Sequence, residues 1–106
     1  MWQVLGQSHV DGRLDHDKVK VKSPQGAFRA IRIQVGDAAV EFHRVVITYA
    51  DGTSRLIPVR SRIAAGRETR IIRLGGAHMI KDIEFWYARG NLNNPRKPTV
   101  TVLGMR

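Results

Sequence analysis

Apolar and polar residues alternate with a period of two along much of this chain, and few folds accept that pattern. A strand sends successive side chains to opposite faces, whereas an amphipathic helix needs apolar residues three and four apart. Val19 and Val21 alternate with Lys18, Lys20 and Lys22. Ile31, Ile33 and Val35 alternate with Arg32 and Gln34, while Phe28 is out of phase, the sign of a bulge near Ala30. Residues 45–49 (VVITY) are apolar on nearly both faces and read as a central strand. Further strands are expected over 69–74, 80–88 and 99–103, separated by Gly75-Gly76 and by RGNLNNPRKP, residues 89–98, both rich in turn formers.

Asp51-Gly52 between two β-rich runs marks a hairpin, because both central residues of a type I′ turn adopt positive φ. A two-residue loop there sets Ile47 opposite Leu56 and Val46 opposite Ile57. Pro58 cannot donate to a ladder, so its strand is expected at an edge or a bulge. SRIAAGRET, residues 61–69, is the one stretch with room for a helical turn, and Gly66 interrupts it. The expected architecture is all-β: an antiparallel β-sandwich, jelly-roll-like or barrel-like, of about eight short strands.

A chain of 106 residues, 42% of them apolar, suits one domain spanning residues 1–106. At this length it should bury roughly 65% of its unfolded surface, enough for a core without covalent staples. There is no cysteine, which excludes disulfides and thiolate metal sites. No apolar run approaches the ~18 residues of a spanning helix. MWQVLGQSHV lacks the basic start and apolar stretch of a signal peptide.

Charge is the most deviant number. The formal net charge is +9, with thirteen arginines against five lysines. Such a field draws polyanions, and the planar guanidinium fork suits oxyanions better than an ammonium does. RSRIAAGRETRIIRL, residues 60–74, holds five arginines and one carboxylate. Strand phase does not put all five on one surface. Arg60, Arg62 and Arg67, around the 64–66 loop, are the subset expected to form a basic end, and Lys18, Lys20 and Lys22 a separate stripe. Lysines on a strand also guard an edge against pairing with another chain.

Asp11, Asp15 and Asp17 crowd DGRLDHD, residues 11–17, without the spacing of a calcium loop, and read as a polar turn before the Lys18 strand. His9, His16, His43 and His78 form no metal-ligating pair of recognised spacing. Ser8-His9 adjoin, but neighbours on a strand point to opposite faces. No nucleophile elbow, P-loop or dinucleotide fingerprint is present, and LGGAH lacks the side chains of a phosphate cradle. Neither an enzyme nor a cofactor or metal is expected. In IEFWYARG, residues 83–90, Trp86 shares a face with Asp82 and Glu84, opposite Ile83, Phe85 and Tyr87. That suggests partial exposure, either as a platform for a sugar ring or as an indole lying under long arginine stems or covered by a loop. Trp2 is expected in the core or as a staple.

The succession WQVLG, DHDKVKV, FRAIRIQV, VVITYADG, IPVRSRI, RIIRLGG, IKDIEFWY and VTVLG resembles a family of small β-sandwich domains of unknown function in bacterial proteins, many with signal peptides. The resemblance covers nearly the whole chain. It implies a β-sandwich and a periplasmic or extracellular setting, and it brings no catalytic residues. The expected function is a non-catalytic binding or structural module that engages anionic polymers or surfaces (glycan, nucleic acid or lipid headgroups). Its candidate residues are Arg60, Arg62, Arg67, Lys18, Lys20, Lys22 and Trp86. The alternatives are a glycan- or protein-interaction module using Trp86, and a nucleic-acid-binding protein. Interleaved aromatic and basic residues, which bases would stack on, are missing, as is any pattern of the common nucleic-acid modules.

Overall fold

The computed structural model describes residues 2–10, 14–21, 26–89 and 97–106, and they contain strands but no helix. In chain order the elements are β1 (Trp2–His9), β2 (Leu14–Lys20), β3 (Ala27–Gly36) and β4 (Val40–Tyr49), followed by β5 (Ser54–Ile57), β6 (Ser61–Ile63), β7 (Ile72–Arg89) and β8 (Thr99–Met105). Every pairing is antiparallel, and the eight strands form one hydrogen-bonded network. That network makes two layers because β7 belongs to both. Its first part pairs with β3, in a sheet ordered β1-β8-β3-β7. Its second part lies between β2 and β4, and β4 carries β5 and β6 on its far edge. Among the described residues the network does not close into a barrel, so the sandwich form of the expectation holds.

The layers bury their facing side chains in one cluster. Phe28, Ile31, Ile33, Val35, Val100 and Val102 come from the first sheet, and Val45, Ile47, Ile57, Ile83, Phe85 and Tyr87 from the second. Full burial of each side chain of this size contributes roughly 1.5–3 kcal/mol. Phe28 is buried in the same core as Ile31 despite being out of phase with it, but the β3–β7 register shift between Phe28 and Ala30 places its extra residues on β7 and not in β3, where the bulge near Ala30 was expected. β4, flanked on both sides, is the central strand expected from VVITY.

Several local expectations are corrected. Gly75-Gly76 does not separate two strands. Phe28 lies opposite His78 and Ala30 opposite Arg73, so residues 74–77 bulge against Arg29 alone, and the strand continues. Gly75 and Gly76 have φ of 74° and 138°, angles that side-chain-bearing residues rarely adopt, and they let one chain pass from layer to layer. The hairpin loop is longer by one residue. Val46 pairs with Leu56 and Val45 with Ile57, and the amide of Gly52 donates to the Tyr49 carbonyl. Gly52 has φ of 91°, while Asp51 stays out of the positive region because its Oδ1 accepts from the Thr53 amide at 2.9 Å and from Thr53 Oγ1 at 2.6 Å. This is a three-residue loop with a glycine bulge rather than a type I′ turn. Finally, Asp15, His16 and Asp17 lie within β2 instead of in a turn before it; Asp11 lies outside the described residues.

The arginine-rich segment changes layers a second time. After β6 at the edge of the second sheet, residues 64–69 cross to β3. The Gly66 amide donates to Val35 O, the Val35 amide to Arg67 O and the Thr69 amide to Ile33 O, all at 2.8–2.9 Å. Thr69 is buried, and its Oγ1 accepts from the Ile33 amide at 3.1 Å. A strand beginning at residue 69 was expected; instead Thr69 is spent on β3, and β7 starts at Ile72.

Candidate functional site

The outer face of the second sheet gathers most of the cations that sequence phase left apart. On β2, Val19 is buried, so His16, Lys18 and Lys20 point outward and are exposed. On β7, Ile83, Phe85 and Tyr87 are buried, which turns Glu84 and Trp86 outward, both half-buried; Asp82 alternates with them but is itself buried. On β4 the burial of Val45 and Ile47 likewise turns Arg44, Val46 and Thr48 outward. On β6 Ile63 is buried and Arg62 is exposed, and Arg60, two residues earlier, is exposed as well. Lys18, Lys20, Arg44, Arg60 and Arg62 therefore occupy one face, although they come from three distant parts of the chain. Arg60, Ser61 and Arg62 line an open groove of about 490 Å³ with Glu41 and His43.

The carboxylates on this face stand in register with cations. Lys18 is opposite Glu84, Lys20 opposite Asp82 and Arg62 opposite Glu41. Opposite charges placed so across a ladder contribute roughly 0.2–1 kcal/mol each. Arg44, Arg60 and Arg62 are nevertheless ion-paired with no described carboxylate.

Trp86 sits at the centre of this face, half-buried, between the two strands that flank β7. His16, opposite it on β2, stacks on the indole with ring centroids 5.5 Å apart and planes at 15°. His16 Nε2 also lies 3.2 Å from Glu84 Oε2. Arg44, opposite it on β4, places its guanidinium carbon 3.9 Å from the ring centroid. Such a cation–π contact at an exposed site is worth about 0.5–1 kcal/mol. The second of the two sequence expectations describes this indole: it lies under an arginine, and no bare platform is present.

Arg67 does not join this face. It lines a recess with Gln34, Val35, Gly66 and Glu68 beside the first sheet. Arg73 lies opposite Ala30 on β3, and Arg70 is exposed just before β7. Glu68, the carboxylate of the arginine-rich stretch, is held by Arg32 at 3.4 Å and by Gln34 at 3.2 Å. The five arginines thus divide, two on the outer face of the second sheet and three along the edge of the first. Lys22 lies outside the described residues.

Arg44 and His16 are the site residues that sequence reading missed. The alternation that turns Val46 and Thr48 outward reaches Arg44 if it is continued two residues back, which is the signal that was available. His16 carries no such signal, because its place beside Trp86 comes from the β2–β7 register. Trp2 is half-buried outside the core, with the Arg32 guanidinium 4.8 Å from its ring. Ser8 bonds Asp17 across β1 and β2, and His9 Nδ1 is 3.4 Å from Thr99 Oγ1, which donates to Asp37 at 2.8 Å. No group of three or more metal-ligating side chains occurs among the described residues. No helix among them is long and apolar enough to cross a membrane.

Fold and face together define a small antiparallel β-sandwich with cations collected on one outer sheet. The family described as Domain of unknown function (DUF2541) matches residues 1–104, and the chain belongs to it. That agrees with the resemblance drawn from the strand-and-turn pattern. Neither the curated proteins nor the solved structures gave a match.

Proposed function

We propose that this domain is a non-catalytic module that binds anionic polymers on the outer face of its second sheet. The observation that carries the reading is the convergence of Lys18, Lys20, Arg44, Arg60 and Arg62 on that face, with all three arginines exposed and ion-paired with no described carboxylate. An unpaired guanidinium at a surface is ready to take an oxyanion through two parallel hydrogen bonds. A secreted bacterial setting, implied by the resemblance, belongs to the same proposal; recovery of the native protein behind a cleaved leader checks it.

Binding of a labelled single-stranded oligonucleotide, titrated over a range of salt, tests the charge term. The affinity is expected to fall linearly on a log–log plot, as counterions return to the polymer. Replacing Arg60 and Arg62 together by Gln should flatten that slope by about 1.4, at about 0.7 per lost phosphate contact on a single strand. Arg67→Gln should change it far less. Equal losses from both substitutions, or no binding at low salt, would remove the reading.

A further inference from the structure

Resting on the polyanion reading above, we propose that Trp86 and Arg44 form a subsite for an acidic sugar residue, so that the polymer taken by this face is an anionic glycan. The two sides of the indole are held differently. His16 is tied at two points, stacked on the ring and within 3.2 Å of Glu84. Arg44 is exposed, pairs with no described carboxylate and rests on the opposite side of the ring. A guanidinium binds an oxyanion through paired, charge-assisted hydrogen bonds, a stronger contact than a ring face offers it. An acid group arriving from solvent therefore draws Arg44 off the indole. The movement uncovers one face of Trp86, against which the apolar face of a pyranose ring packs. Arg44 and Trp86 are directly opposite in the β4–β7 ladder, so a single sugar residue reaches both.

The carboxylates select the polymer. Glu84 and Glu41 share the face with the cations and stand in register with Lys18 and Arg62. Ionised carboxylates accept hydrogen bonds and donate none. A glycan offers hydroxyl donors between its acid groups and so matches a face of mixed charge. A nucleic acid strand brings a phosphate with every nucleotide, and each phosphate set against Glu84 or Glu41 meets like charge. Trp86 is also the only tryptophan on this face, whereas base-stacking surfaces use several aromatic side chains in succession.

The test uses the full chain carrying Trp2→Phe, which leaves Trp86 as its single tryptophan reporter. Heparin-derived octasaccharide and an oligothymidylate of matched charge are titrated at physiological salt. The expected result is a shift in Trp86 emission with the octasaccharide, together with about tenfold tighter binding than to the oligothymidylate. Trp86→Ala and Arg44→Gln should each weaken octasaccharide binding by about fivefold or more. Arg44 is an exposed side chain, so Arg44→Gln keeps the fold and decides the matter if Trp86→Ala does not fold. Octasaccharide binding that leaves Trp86 emission unchanged and survives Arg44→Gln overturns the subsite while the polyanion reading stands. Tighter binding of oligothymidylate with a Trp86 response assigns the face to nucleic acid and also overturns it. No binding of either polymer at low salt overturns both readings.

Discussion

Asp51 ties the β4–β5 turn through its charge. Its carboxylate is held below the ordinary value of 3.8, first by the hydrogen bond from the Thr53 side chain and then by the one from the Thr53 amide. A depressed carboxylate contributes stability that is fully present above the unfolded value and is lost as pH falls through the lower folded one. Asp51→Ala should therefore lower Tm at neutral pH, and the gap from the parent protein should close in acid below 3.8. A gap independent of pH would mean that the side chain acts through backbone preference alone. A contrast between two strand glycines tests packing at the same scale. A Cβ on Gly104 would meet Phe28 Cδ1 at 2.7 Å and Leu5 Cδ1 at 3.0 Å, both on core side chains, whereas on Gly36 it meets only Thr99 Cβ at 4.0 Å. Chemical denaturation should show Gly104→Ala costing about 1–3 kcal/mol and Gly36→Ala less than about 0.5 kcal/mol. Equal costs would show that the backbone near Gly104 yields to make room. Nothing in the sequence marks Gly104 as a contact position, because Phe28 and Leu5 reach it from strands far away along the chain.

At the level of elements, one residue of loop length decides which side of β5 is buried. In a two-residue loop Leu56 lies opposite Ile47 and points inward; in the three-residue loop Ile57 does. A one-residue slip exchanges the faces of a strand. The observed side chains follow the longer loop, with Ile57 1% exposed and Leu56 59% exposed. Ile57→Ala should accordingly cost about 2–5 kcal/mol, as should Ile47→Ala on the central strand, and Leu56→Ala less than about 1 kcal/mol. The opposite order at 56 and 57 in urea unfolding would return the hairpin to the shorter loop. The strands themselves were legible, since Ile31, Ile33 and Val35, or Ile83, Phe85 and Tyr87, declare a buried face by spacing alone. The loop was not, because Asp-Gly serves both loop lengths and the choice falls to the Asp51–Thr53 contacts. Gly75-Gly76 was misread for a similar reason. Paired glycines serve a turn or a bulge equally well, and only the partner strand β3, with Phe28 and Ala30 on either side of the shift, makes this one a bulge within β7.

The whole molecule depends on β7, which is also why its candidate site stayed hidden in the sequence. Lys18 and Lys20 reach the face of Arg44 and Arg60 only because β2 and β4 take opposite sides of one strand far along the chain, a choice that no local pattern encodes. Charge and exposure of Arg60, Arg62 and Trp86 could be read from spacing; their neighbours could not. The same strand couples the layers in unfolding. Ile72 and Leu74 are buried where β7 belongs to the first sheet, Ile83 and Phe85 where it belongs to the second, and all four enter a single cluster. Loss of either layer would expose the inner face of the other and strip β7 of β3 on one side or of β2 and β4 on the other, so neither layer has a core of its own. The two tryptophans report on them separately, Trp2 from β1 in the first sheet and Trp86 from β7 in the second. In denaturant, Trp2→Phe and Trp86→Phe variants each carry one reporter, and each emission transition should coincide with that variant's own backbone transition in circular dichroism. An emission change in the Trp86→Phe protein that precedes loss of strand signal would show the first sheet opening alone. In that event the β7 crossing would be a hinge between separable layers, and the outer face of the second sheet could keep its cations in place while the first sheet unfolds.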